Sequence, residues 1–156
     1  MKNTIVRTGL AVVFALGLIA SMAAPAHAWD RQCSLAGAAG NWSFTDSGSV
    51  IGVGPRTAVG VFTLDGAGNA TNGIATSSLN GLIYDETFSG TYTVNSDCTG
   101  TLTAYIYISG ALAYTVTVNT SFDQYGTHMR GLFTSAVVQP SGTPLQTVIA
   151  LDANKQ

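Results

Sequence analysis

Glu86 is the side chain in this sequence best placed to do chemistry. If residues 84–94 form one unbroken strand, alternation puts Glu86 on the face of Tyr84, Phe88, Tyr92 and Val94. A carboxylate enclosed by aromatic rings has a raised pKa and can act as an acid or a base. Its local setting argues the other way. Asp85 and Glu86 are adjacent and close to a turn, where charged pairs are usually solvated, and Gly90 can host a bulge that resets the alternation. The sequence therefore favours solvent for Glu86. His128 and Arg130 share a face if residues 127–138 are extended, and together they could orient an anionic ligand. The simpler reading makes them the solvent face of a strand whose Met129, Phe133 and Val137 point inward. No nucleophile or acid stands at a spacing that completes a catalytic set. Glu86, Tyr92, His128 and Arg130 are thus candidates for contacting a ligand, and no residue is assigned to catalysis. Tyr105 and Tyr107 could line a groove for a carbohydrate or an apolar ligand, or simply cover neighbouring strands. Asp65 and Asp97 lack the spacing of a calcium loop and read as turn formers. No metal site and no cofactor is expected.

The elements that must position these side chains are short strands. Apolar and hydroxyl residues alternate, broken by Gly, Asn and Asp, over 40–48, 57–64, 69–79, 83–95, 98–109, 114–122, 127–138 and 147–151. Trp42 and Phe44 share a face. Residues 57–64 are apolar on both faces, as in a fully buried strand. Leu102, Ala104, Ile106 and Ile108 oppose Thr101, Thr103, Tyr105 and Tyr107, and Tyr114, Val116, Val118, Thr120 and Phe122 form the next face. Asp65-Gly66-Ala67-Gly68-Asn69 and Asn80-Gly81 are strong turn signals. Links this short make an antiparallel meander. The expected fold is all-β, about eight strands closed as a small barrel, which removes exposed edges. A two-sheet sandwich is the alternative.

The first 28 residues have the plan of a secretory signal peptide. Lys2 and Arg7 precede an apolar run, and Ala26-His27-Ala28 offers small residues for cleavage. The expected organisation is a leader, 1–28, with a helical apolar core too short to span a bilayer, and one domain, 29–156. The product would be secreted or periplasmic, and not an integral membrane protein once cleaved. Outside that leader only Arg31, Arg56, Arg130 and Lys155 are basic, against eight acidic residues. Four scattered cations make no patch for nucleic acid. Cys33 and Cys98 are the two cysteines. In an oxidising compartment they read as a disulfide, ahead of a lipid anchor or a metal site. The closed loop of about 66 residues would be worth about 4 kcal/mol in the chain-entropy model.

Several phrases resemble the allene oxide cyclase barrel-like group of small exported bacterial proteins, a calycin-like barrel. They are Cys33-Ser34 followed by Asn41-Trp42-Ser43-Phe44; Phe62-Thr63-Leu64 with the Asp65–Asn69 turn; Asn80-Gly81; and the run from Ser89-Gly90-Thr91-Tyr92 to Asp97-Cys98-Thr99-Gly100-Thr101-Leu102. The resemblance spans most of the chain beyond the leader. It implies a barrel shaped like plant allene oxide cyclases and a disulfide from Cys33 to Cys98. The matching residues are turns, cysteines and core aromatics, so no catalytic residue is carried over. The function expected first is non-catalytic binding of a small apolar or amphipathic molecule, which calls for an interior cavity of roughly 300 Å³. A cell-envelope structural or interaction role comes second, and a cyclase-like isomerase third. The sequence does not set the oligomeric state.

Overall fold

A computed structural model of the chain describes residues 33–156. The expected leader, 1–28, lies outside them. One short helix, α1 (Leu35–Ala38), precedes nine strands: β1 (Gly40–Val50), β2 (Gly54–Leu64), β3 (Asn69–Leu79), β4 (Leu82–Val94), β5 (Thr99–Ile108), β6 (Ala111–Phe122), β7 (His128–Val138), β8 (Thr143–Pro144) and β9 (Thr147–Lys155). Every pairing is antiparallel. The ladder runs in chain order from β1 to β7, then through β9 back to β1, with Trp42 opposite Lys155 and Val50 opposite Thr147. Eight strands therefore close into a barrel, and the two-residue β8 hangs on β7. Closure excludes the sandwich. It also corrects the reading of residues 57–64. A barrel wall buries one face, so Ala58, Phe62 and Leu64 go inside while Val59 and Val61 stay 58% and 42% exposed.

The interior is aromatic at one end. Trp42, Phe44, Phe62, Phe88 and Phe122 meet in stacked, tilted and edge-to-face pairs with centroids 5.7–6.4 Å apart. Inward glycines make room for two of these rings. A side chain at Gly60 would strike Phe44, and one at Gly73 would strike Phe88. Gly73 faces inward because β3 bulges at Asn72, whose φ of 55° lies in the left-handed region that asparagine tolerates. A second bulge, on β7 opposite Thr117 and Val118, keeps Phe133 inside and then turns Ala136, not Val137, inward. Residues 114–122 and the inner face of β5 fall as their alternation predicts, and Leu102, Ala104, Ile106, Val116, Val118 and Phe122 are buried.

The aromatic end is plugged. Ser34 caps α1, its Oγ accepting from the Gly37 N–H at 3.1 Å. Trp42 Nε1–H donates to the Ala38 carbonyl at 2.9 Å, and Lys155 Nζ donates to that of Gly37 at 3.0 Å. The Cys33–Cys98 disulfide ties the helix to the β4–β5 turn, with Cα atoms 4.9 Å apart. That bond points to an oxidising, exported environment. The three turns at this end share one design. The fourth residue, Gly68, Cys98 or Gly126, has positive φ, and its N–H donates to the carbonyl of Asp65, Asn95 or Asp123. Carboxylates of Asp65, Asp97 and Asp123 accept from nearby turn amides. These bonds hold all three below the ordinary aspartate range, against a contrary push from desolvation that is the largest single influence on Asp123. Among the described residues no helix is long and apolar enough to cross a membrane.

Candidate functional site

The opposite half of the barrel carries charge inside. On β1, Asp46 has the same parity as Trp42 and Phe44, so its carboxylate points inward and is 3% exposed. On β2, Arg56 precedes Ala58, Gly60 and Phe62 on the inner face. Ser77 on β3 and Glu86 on β4 complete the set, at 1% and 3% exposure. Arg56 lies one diagonal step from Asp46, because Asp46 faces Ala58 and Gly48 faces Arg56. Its guanidinium spans β3 to grip Glu86 with both nitrogens, Nη1 to Oε1 at 3.0 Å and Nη2 to Oε2 at 3.2 Å. The Ser77 hydroxyl donates to Glu86 Oε1 at 2.6 Å. Asp46 receives less. Its Oδ2 lies 3.3 Å from Arg56 Nη2, and its Oδ1 has no hydrogen-bond partner.

The electrostatics follow from that inequality. With all three groups ionised, one cation faces two anions. Burial pushes the Asp46 carboxyl above its ordinary value. Arg56 offsets part of the push, Glu86 adds to it, and the Ala58 N–H across the ladder eases the charge without bonding Oδ1. Arg56 is held above the ordinary guanidinium range. Burial pulls its pKa down, but the Glu86 hydrogen bond and the two carboxylate charges outweigh it. Removing charges from water costs several kcal/mol per ion, so a cluster left one charge out of balance is a standing cost to the fold.

Two cavities adjoin the cluster. The first, about 40 Å³, is lined by Phe44, Phe62, Phe88 and Leu102 with Asp46 and Glu86 in its wall. The second, also about 40 Å³, lies toward the end of the barrel opposite α1, among Val50, Leu79, Tyr114, Leu145 and Thr147. Arg56, Ile106, Val116 and Phe133 line both. Neither approaches the roughly 300 Å³ of a typical small-molecule pocket. The aromatic rings fill the space that the ligand-binding expectation left open.

The sequence-derived candidates are dispersed. Glu86 is inside, contrary to the solvated reading. Strand β4 runs unbroken from Leu82, Gly90 pairs in register with Ala104, and the alternation is never reset. Tyr92 is at the plugged end, its hydroxyl 2.6 Å from the Asp65 carbonyl and 3.0 Å from that of Leu35. Desolvation, and then the Asp65 charge, push its pKa up to about 12. His128 and Arg130 sit on the outer wall, 3.0 and 3.7 Å from Asp152. Tyr105 and Tyr107 also face outward, away from both cavities. Sequence reasoning missed Asp46, Arg56 and Ser77. The available signal was parity: residues 46, 56 and 86 each share a face with inward aromatics, and their charges are complementary.

No family model and no curated protein matches the sequence. Among solved structures the chain is similar to EF1p2_mFAP2b bound to DFHBI, at TM-score 0.51 and 13% identity, over 81% of this chain and 98% of that one. It is also similar to the S-type phycobiliprotein lyase CPES from Guillardia theta, at TM-score 0.49 and 8% identity over 82% and 96%. For Rv2717c from M. tuberculosis the values are 0.35 and 15% over 78% and 94%. The first likeness is one of fold.

Proposed function

We propose that this chain is an exported, non-catalytic barrel that holds a slender amphipathic molecule along its axis. The polar end of that molecule would lie at the Asp46–Arg56–Glu86 cluster and its tail on the aromatic wall. One observation carries the reading: an apolar cavity is lined by Asp46, a buried carboxylate with one oxygen that lacks a hydrogen-bond partner. Such an atom costs about 1–3 kcal/mol, and a donor on a bound molecule would recover it. A protein similar in fold, EF1p2_mFAP2b, has been solved bound to DFHBI, and the leader-like 1–28 supports export. The narrow cavities restrict the tail to a single chain that passes the side chains common to both.

Isomerisation ranks below binding. Both Glu86 oxygens are engaged by Arg56, and one of them also by Ser77, so Glu86 offers no free oxygen for proton transfer. An envelope-interaction role draws on the outer wall, where Val61 and Ile74 pair across β2 and β3 beside Val59, all exposed.

The binding reading is tested by titrating straight-chain alcohols of three to six carbons into the protein and following methyl resonances. Saturable shifts are expected at Leu102, Ile106 and Val116. Ala104→Ile, which fills the first cavity at an overpacking cost of about 1–3 kcal/mol, is expected to abolish them. Shifts confined to Val59, Val61 and Ile74 would locate binding on the outer wall and end the reading.

A further inference from the structure

We propose that the inner site selects a cationic, hydrogen-bond-donating head group, an alkylammonium, and rejects a carboxylate. This inference rests on the binding reading above and adds the chemistry of the ligand. Both Glu86 oxygens are bonded, accepting from Arg56 Nη1 and Nη2 and from the Ser77 hydroxyl. Only one Asp46 oxygen is. Its one ion-pair contact, at 3.3 Å, is longer than the 2.7–2.9 Å typical of a charge-assisted bond. The same Nη2 gives one of its two hydrogens to Glu86 Oε2 and the other to Asp46 Oδ2, so no hydrogen of that nitrogen is left for Asp46 Oδ1. The free atom is an acceptor and is buried, and its residue lines the first cavity.

Charge and hydrogen bonding then ask for the same group. The ionised cluster carries one negative charge too many, and a monocation in the cavity brings it to neutrality. An ammonium supplies three N–H donors, one of which Asp46 Oδ1 can accept. A neutral alcohol satisfies the acceptor but leaves the charge. A carboxylate deepens the imbalance and brings no donor. The rest of the lining, Phe44, Phe62, Phe88, Leu102 and Ile106, is apolar and suits an alkyl tail. Among the described residues the other buried side-chain atom without a hydrogen-bond partner, Thr120 Oγ1, is uncharged and its residue lines neither cavity. The outer His128–Asp152–Arg130 set is largely solvated and already paired.

The test compares three probes of equal length, n-butylammonium, n-butanol and butyrate, by NMR titration of the oxidised protein at neutral pH. Butylammonium is expected to bind at least ten-fold more tightly than butanol, and butyrate not to saturate. Asp46→Asn keeps the shape and one acceptor while removing the surplus charge, and is expected to erase the ammonium preference. If butanol or butyrate equals or exceeds butylammonium in the unmodified protein, the head-group assignment is wrong while binding itself stands. If none of the three shifts an inner resonance at millimolar concentration, the binding reading falls and this inference with it. A wild-type preference that survives in Asp46→Asn would place the selecting group elsewhere and overturn the assignment to Asp46.

Discussion

Arg56→Met is expected to destabilise the protein by about 3–5 kcal/mol at neutral pH, because it leaves buried carboxylates without their cation. Methionine follows the arginine stem in length, so packing is largely kept and the loss reports charge. Asp46 and Glu86, both 3% exposed, would then face each other across the upper interior with only Ser77 as a polar partner. Binding protons is the cheapest relief. The folded variant then holds more protons than its unfolded chain, so its stability falls as pH rises and the deficit shrinks on acidification. Denaturant unfolding at pH 7 and pH 5 measures both effects. Adding Asp46→Asn and Glu86→Gln to Arg56→Met should recover most of the loss. A deficit below about 1 kcal/mol at pH 7, unchanged at pH 5, would mean that the cluster is hydrated in solution, where an ion pair has only this smaller worth.

Opening the disulfide is the second large effect. Reduction, or Cys33→Ser with Cys98→Ser, is expected to cost about 4 kcal/mol, from the entropy regained by a long unfolded loop. The bond joins the start of α1 to the β4–β5 turn across 65 positions. Its loss also loosens the plug that Trp42 and Tyr92 hold through the carbonyls of Ala38 and Leu35. Cys98 has a φ of 67°, a left-handed conformation that costs a residue with a side chain roughly 1–2 kcal/mol. Cys33→Ser with Cys98→Gly should therefore lose about 1 kcal/mol less than the double serine variant. Thermal unfolding with and without reductant checks the main effect. An unchanged midpoint after both thiols are alkylated would contradict it.

The parts of this molecule that are local in origin can be read from its residues. The turn at Asp65–Asn69 and the hairpin at Asn80-Gly81 follow from side chains that bond their own backbone or tolerate positive φ. The faces of β5 and β6 follow from alternation alone. Errors began where the wall bends. The β7 bulge exchanges Val137 for Ala136, and the Asn72 bulge resets β3, a strand for which alternation assigns no inward face. Both answer to barrel curvature, which no short stretch encodes. The site was half legible. Alternation places Glu86 on the face it occupies, yet its charged neighbour and the nearby turn, both local features, argue for water. Arg56, two strands away, is what makes its burial affordable. A charge pair formed across three strands is visible only when inward parity is traced on every strand together. Cavity size could not be read at all, since it depends on how Phe44, Phe62 and Phe88 share the interior.

The central claim is that Asp46 is an enclosed carboxylate short of partners. Carbon-13 NMR of its carboxyl carbon, followed against pH with and without n-butylammonium, addresses it directly. The expected midpoint in the free protein lies above the ordinary 3.8, and it moves down when the ammonium binds. A free-protein midpoint at or below that ordinary value, indifferent to the ammonium, would show a solvated or fully paired Asp46 and contradict the account.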